Sequence, residues 1–110
     1  MNMKLGTTAL HVTYSDVELR ERVLGYIDRS NDGIGFKDIC TYILTDARAE
    51  NKLDAPESNG YEWEALDRKD VLRIDRILWQ AILDGKLMID FDASNYDAVD
   101  TYFVKILDNV

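Results

Sequence analysis

The chain has 110 residues, of which 46% are hydrophobic and 31% charged, and its net charge is -8 at pH 7. This length fits one domain, and the composition is that of a globular rather than a disordered protein. No apolar run approaches the ~18 residues of a membrane span, the first ten residues lack a signal-peptide stretch, and there is one cysteine. We therefore expect a soluble, cytoplasmic domain with no membrane partner, whose acidity opposes nucleic acid at long range.

The N-terminal segment, residues 1–14, is predicted to be a short strand or an ordered arm, because it is rich in threonine and β-branched residues. The first helix begins after Ser15, which can form a capping box with Glu18. A turn over Ser30–Gly33 ends this helix. The residues at helical spacing that predict its buried face are Leu19, Val23, Tyr26 and Ile27.

The second helix begins after Gly35 and ends near Glu50. Its apolar residues recur at helical spacing and predict a strongly amphipathic helix: Phe36, Ile39, Cys40, Ile43 and Leu44. The segment 51–64 that follows contains Pro56 and an Asn-Gly pair, and it is predicted to be a surface loop.

The third helix has the strongest end signals in the sequence. Asp67 is a suitable N-cap, Leu66 and Val71 occupy the positions of a hydrophobic staple, and Gly85 fits the left-handed residue that ends a helix. The predicted buried stripe is Val71, Ile74, Leu78 and Ile82, and we expect Trp79 and Leu83 to widen this apolar face on one side.

Two alternating runs, Lys86–Asp92 and Val99–Leu107, close the chain and predict an antiparallel pair of strands. The predicted fold is therefore α+β: a single domain over residues 1–110, with three helices and a C-terminal two-stranded β-hairpin.

This order of elements resembles the winged helix-turn-helix superfamily. Gly33–Ile39 is similar to the junction of its short strand with its second helix, and Arg76–Leu87 to a recognition helix that runs through a glycine into the wing. The resemblance implies a DNA-binding transcription regulator with the third helix in the major groove. Two features depart from the family: the connection between helices two and three is long, and the proposed wing is acidic.

The candidate nucleic-acid-binding residues lie on the third helix, opposite its predicted buried stripe: Lys69, Arg73, Arg76 and Gln80. Arginine can donate two hydrogen bonds to guanine, and glutamine can bond adenine. Residues 66–86 carry five basic and four acidic side chains in a chain that is otherwise strongly acidic. We expect duplex DNA as the partner; the competing interpretation is an ordinary solvated helix face.

The alternative is a winged-helix adaptor that binds a basic protein, or a DNA mimic. Residues 46–65 carry six carboxylates against two basic side chains. The partner-binding residues would be the aromatic pair Tyr61 and Trp63, together with Asp90, Asp92 and Asp97 of the proposed wing. The competing interpretation is that these charges maintain solubility and that the aromatic side chains cover the core.

No pattern in the sequence predicts an enzyme. It contains no phosphate-binding glycine loop, no nucleophile elbow and no HExxH, and His11 and Cys40 are single residues of their kind. The acidic run from Asp90 departs from a calcium loop, because Asn95 and Thr101 stand where glycine and glutamate are needed. We therefore expect no catalytic residue, metal, cofactor or small-molecule substrate; monomer and homodimer both stay open.

Overall fold

The computed structural model describes residues 7–54, 63–90 and 100–106. Within these ranges the protein has an α+β fold with three helices and two three-stranded sheets, which confirms the predicted class and helix number. The helices are α1 Asp16–Asp28, α2 Phe36–Ala49 and α3 Arg68–Leu83. The strands are β1 Thr7–Val12, β2 Ile34–Gly35, β3 Leu53–Asp54, β4 Trp63–Leu66, β5 Leu87–Ile89 and β6 Tyr102–Lys105. None of the helices in the described part of the chain is long and apolar enough to cross a membrane.

The predicted start of α1 and both predicted ends of α3 are confirmed, and each of them depends on interactions within a few residues of the chain. Ser15 and Glu18 form both halves of the capping box at the start of α1. The carboxylate of Asp67 accepts from the backbone N–H of Lys69 at 3.0 Å and caps α3. Gly85 has a φ of +75° just beyond α3, a backbone conformation that glycine adopts without strain.

The first sheet has the strand order β3-β1-β4, with β1 antiparallel to β3 and parallel to β4. Leu10 pairs with Leu66 and Val12 with Leu53, so β1 holds both ends of the connection between α2 and α3. The surface loop predicted over 51–64 therefore has strands at both of its ends; Pro56 and the Asn-Gly pair lie outside the described residues.

The second sheet has the strand order β2-β6-β5, and both of its pairings are antiparallel. Ile34 pairs with Phe103, which in turn pairs with Ile89. The two alternating runs at the end of the sequence thus contribute β5 and β6, and residues 91–99 between them lie outside the described residues.

The three helices and both sheets bury one cluster of apolar side chains. The helical residues with no exposed surface in this cluster are Leu19, Val23 and Ile27 of α1, Ile39, Ile43 and Ala47 of α2, and Ile74, Leu78 and Ala81 of α3. Tyr26, predicted to lie on the buried face of α1, is half-buried and stacks on Tyr42 with the ring centroids 4.0 Å apart. On α3 the predicted stripe is displaced, since Val71 and Ile82 are only half-buried.

The start of α2 is capped from a distant part of the chain. Its N-cap, Gly35, has no side chain, and the carboxylate of Asp100 accepts from the backbone N–H of Lys37 at 3.2 Å instead. A Cβ atom on Gly35 would lie 2.5 Å from this carboxylate oxygen and 3.1 Å from the Tyr102 ring. Glycine at position 35 therefore leaves room for the cap.

This arrangement predicts a coupling between Gly35 and Asp100. Asp100→Ala should lower the free energy of unfolding by about 1 kcal/mol through loss of the cap. Gly35→Ala should displace the same carboxylate, so it should cost about 1 kcal/mol less in the Asp100→Ala background than in the wild type. Urea denaturation of the two single variants and the double variant measures this coupling, and strictly additive effects would contradict it.

Candidate interaction surface on the third helix

The orientation of α3 is determined by a buried carboxylate in its first turn. Asp70 is 0% exposed, and its oxygens accept hydrogen bonds from His11 Nδ1 at 2.8 Å, the backbone N–H of Val12 at 3.0 Å and Arg73 Nη1 at 3.0 Å. A buried charge is tolerated only when it is paired and hydrogen-bonded, and a carboxylate is also favoured near a helix N-terminus. Asp70 therefore holds the start of α3 against β1.

Arg73 extends this network to the first helix. Its guanidinium donates to Tyr14 O at 2.6 Å and lies 3.0 Å from Asp16 Oδ1, in addition to its contact with Asp70. The side chain is only 22% exposed. The sequence places Arg73 among the nucleic-acid-binding candidates. In the structure its charge is used in internal contacts that join α3 to α1 and to the segment between β1 and α1.

The other three candidates on α3 are exposed. Neither Lys69 nor Arg76 has a carboxylate oxygen within 4.0 Å among the described residues. Gln80 donates to Asp84 Oδ1 at 3.0 Å, one turn further along the helix. Unlike Arg73, Lys69 and Arg76 therefore have no internal charge partner in the described part of the chain.

Large apolar side chains also occupy the outer face of α3. Leu72 is 50% exposed, Trp79 47% and Leu83 80%, and we call these three residues the α3 ridge. They make up half of the six large hydrophobic side chains that are exposed in the described part of the chain. The expectation that Trp79 and Leu83 widen the buried face is wrong, because the burial of Asp70, Ile74 and Ala81 turns the opposite side of the helix outward.

A groove runs beside the α3 ridge, between α1 and α3, with a volume of about 270 Å³. We call it the arginine groove, because three of its six lining residues are arginines: Asp16, Arg20, Arg73, Arg76, Ile77 and Gln80. On the other side of the ridge, a second groove of about 330 Å³ separates Trp79 and Asp75 from the start of α2 and from β6. The ridge is therefore flanked by two open grooves with different charges.

The residues of the alternative interface are described only in part. Tyr61, Asp92 and Asp97 lie outside the described residues, and of Trp63 the structure gives the backbone, which belongs to β4. Asp90 is half-buried at the end of β5, where its backbone N–H donates to Tyr102 O at 2.9 Å.

The described part of the chain contains no cluster of metal-ligating side chains and has one free cysteine, Cys40. No cluster of three or more His, Cys, Asp or Glu side chains within these ranges could hold a metal ion. Burial, together with the nearby carboxylates of Asp100 and Asp75, raises the pKa of the Cys40 thiol to about 11, so this thiol is a weak nucleophile at neutral pH.

Comparison with known proteins gives no relative: the chain matches no family model, and no curated protein or solved structure is significantly similar to it.

Sequence reasoning missed the burial of Asp70. One signal was present, since Asp70 lies one turn before Ile74 and two turns before Leu78, in line with the buried stripe. A charged residue at such a position indicates a buried polar contact when a partner of opposite charge, here Arg73, lies three residues away.

The two arginines of α3 should differ in their effect on stability. Arg73→Ala leaves the buried Asp70 carboxylate without its charge partner, so we expect the free energy of unfolding to fall by about 3 kcal/mol. Arg76→Ala is the matched control, since this side chain is exposed, and it should change stability by no more than about 0.5 kcal/mol. Urea denaturation measures both variants. Equal effects of the two substitutions would contradict the internal role of Arg73.

Proposed function

We propose that this chain is a non-enzymatic, winged-helix-type domain that binds another protein through the outer face of α3. The observation that carries this proposal is the α3 ridge, formed by Leu72, Trp79 and Leu83, each of them close to half exposed or more. Large apolar side chains grouped on one face, with polar residues around them, are typical of protein-interaction surfaces. Tryptophan in particular is favoured at the energetic centre of such interfaces.

The winged-helix part of the proposal is supported by the order of elements. Helix α1, the short strand β2, helix α2, helix α3 and the antiparallel strands β5 and β6 follow one another as in the family that the sequence resembles. Strand β2 pairs with β6 in the same sheet. The strands β3 and β4, which lie in the long connection between α2 and α3, are additions to this order.

A protein partner suits the outer face of α3 better than DNA does. The recognition surface of a DNA-binding helix offers hydrogen-bond donors and acceptors to base edges and phosphates. Here the centre of the outer face is apolar. Arg73 forms ion pairs with Asp16 and Asp70, so its guanidinium is not free to contact DNA. The chain also carries a net charge of -8, which opposes the approach of a polyanion.

Capture of proteins from lysate of the cells that produce this protein tests the proposal. The immobilised wild type should retain at least one protein that Trp79→Ala and Leu83→Glu variants lose. In a direct titration with that protein, Trp79→Ala should weaken binding by about 30-fold, which is the size of a hot-spot residue. Met88→Glu is the matched control, since Met88 is equally exposed but lies on β5. Identical sets of proteins captured by the wild type and both ridge variants would contradict the proposal.

Duplex DNA is the second candidate, because Lys69 and Arg76 are exposed and have no carboxylate partner in the described part of the chain. If they contact phosphates, fluorescence anisotropy with a pool of random-sequence duplexes should show binding that weakens steeply with salt. Each of these residues would then account for about one phosphate contact. Replacing either one with alanine should therefore make the slope of the log binding constant against log salt concentration shallower by about 1. Absence of binding at low salt would remove this candidate and leave the protein-binding proposal unaffected.

A further inference from the structure

The charges beside the α3 ridge indicate what kind of protein segment fits it. Three guanidinium groups line the arginine groove, and the only carboxylate among its lining residues is that of Asp16, which pairs with Arg73. Arg20 lies 3.8 Å from its nearest carboxylate oxygen, on Asp84. Arg76 has no such partner among the described residues. The groove is thus a positively charged site in a chain whose net charge is -8.

Arg76 connects the arginine groove to the α3 ridge. Along α3 it follows Leu72 by four residues and precedes Trp79 by three, so it lies next to both on the helix surface. It is also one of the lining residues of the groove. A partner that covers the ridge with apolar side chains must therefore place its flanking side chains over the groove.

From this geometry we propose that the partner is an amphipathic helix with carboxylates along one flank of its apolar stripe, and that at least one carboxylate enters the arginine groove. The apolar stripe packs on Leu72, Trp79 and Leu83, in the way that amphipathic helices dock on apolar surfaces. The carboxylate accepts hydrogen bonds from Arg76 and Arg20, whose planar guanidinium groups suit this geometry. This proposal rests on the proposed protein-binding function and specifies the chemistry of the partner.

A second copy of the chain fits this surface less well. In a symmetric antiparallel pairing through α3, the same flank of both copies meets, so the basic flank that carries Lys69 and Arg76 would face the basic flank of the other copy. Like charges at such positions disfavour the pairing. The net charge of -8 on each copy also opposes self-association.

Three synthetic helical peptides test the proposal directly. Each has about 20 residues, which allows a stable helix, and the same leucine stripe. They differ only on one flank, which carries glutamate, glutamine or lysine. Titration of the full-length protein into each fluorescently labelled peptide, followed by anisotropy, should give about 10-fold tighter binding of the glutamate peptide than of the glutamine peptide, and the weakest binding of the lysine peptide.

Charge reversal in the arginine groove provides the critical comparison. Arg76→Glu should reverse the order, so that the lysine peptide binds more tightly than the glutamate peptide. Lys86→Glu makes the same change of charge at an exposed residue outside the groove and should leave the order unchanged. An unchanged order in Arg76→Glu would overturn the proposal.

The remaining outcomes separate this proposal from the proposed function. If the three peptides bind equally and Trp79→Ala abolishes their binding, the ridge binds protein but the partner is not acidic, and only this proposal fails. It also fails if no peptide binds more tightly than about 1 mM. In that case the capture experiment decides the proposed function independently.

Discussion

The hydrogen-bonded burial of Asp70 is the interaction on which the rest of this structure depends. A carboxylate with no exposed surface is costly unless every oxygen has a partner, and here the partners are the ring of His11, the backbone of Val12 and the guanidinium of Arg73. The first two belong to β1, and Arg73 continues to Asp16 on α1. Rotation of α3 about its axis would break all of these contacts together, so this network determines which face of the helix is turned to solvent.

The same network explains an otherwise unfavourable exposure of apolar side chains. Because Asp70, Ile74 and Ala81 define the inner side of α3, helix geometry places Leu72 and Leu83 on the outer side. The charges on the two sides of this outer face differ. It is basic on the side of the arginine groove, although the chain as a whole is acidic. An apolar ridge beside a cationic groove suits a partner with the opposite charge pattern, and electrostatic complementarity of this kind increases specificity and the rate of association.

The sequence predicts the parts of the fold that depend on local signals. The capping box at Ser15, the N-cap at Asp67 and the glycine at position 85 each act within a few residues, and the structure has all three. The short strands β3 and β4 could not be predicted, because their pairing partner, β1, lies more than forty residues away and they are too short to show alternation. The candidate site was predicted in part. The periodicity of α3 places Arg73 and Arg76 on the same side, but it does not reveal that the side chain of Arg73 reaches back to Asp16 and Tyr14.

Carbene footprinting of the free protein, read out residue by residue by mass spectrometry, tests the orientation of α3 most directly. Leu72, Trp79 and Leu83 should be heavily labelled, whereas Ile74 and Leu78 on the same helix should be protected. Arg73→Ala should increase labelling of Ile74, because loss of the network loosens the start of α3. Protection of Trp79 and Leu83 in the wild type, at the level of Leu78, would show that the ridge is not the outer face and would contradict this orientation of α3.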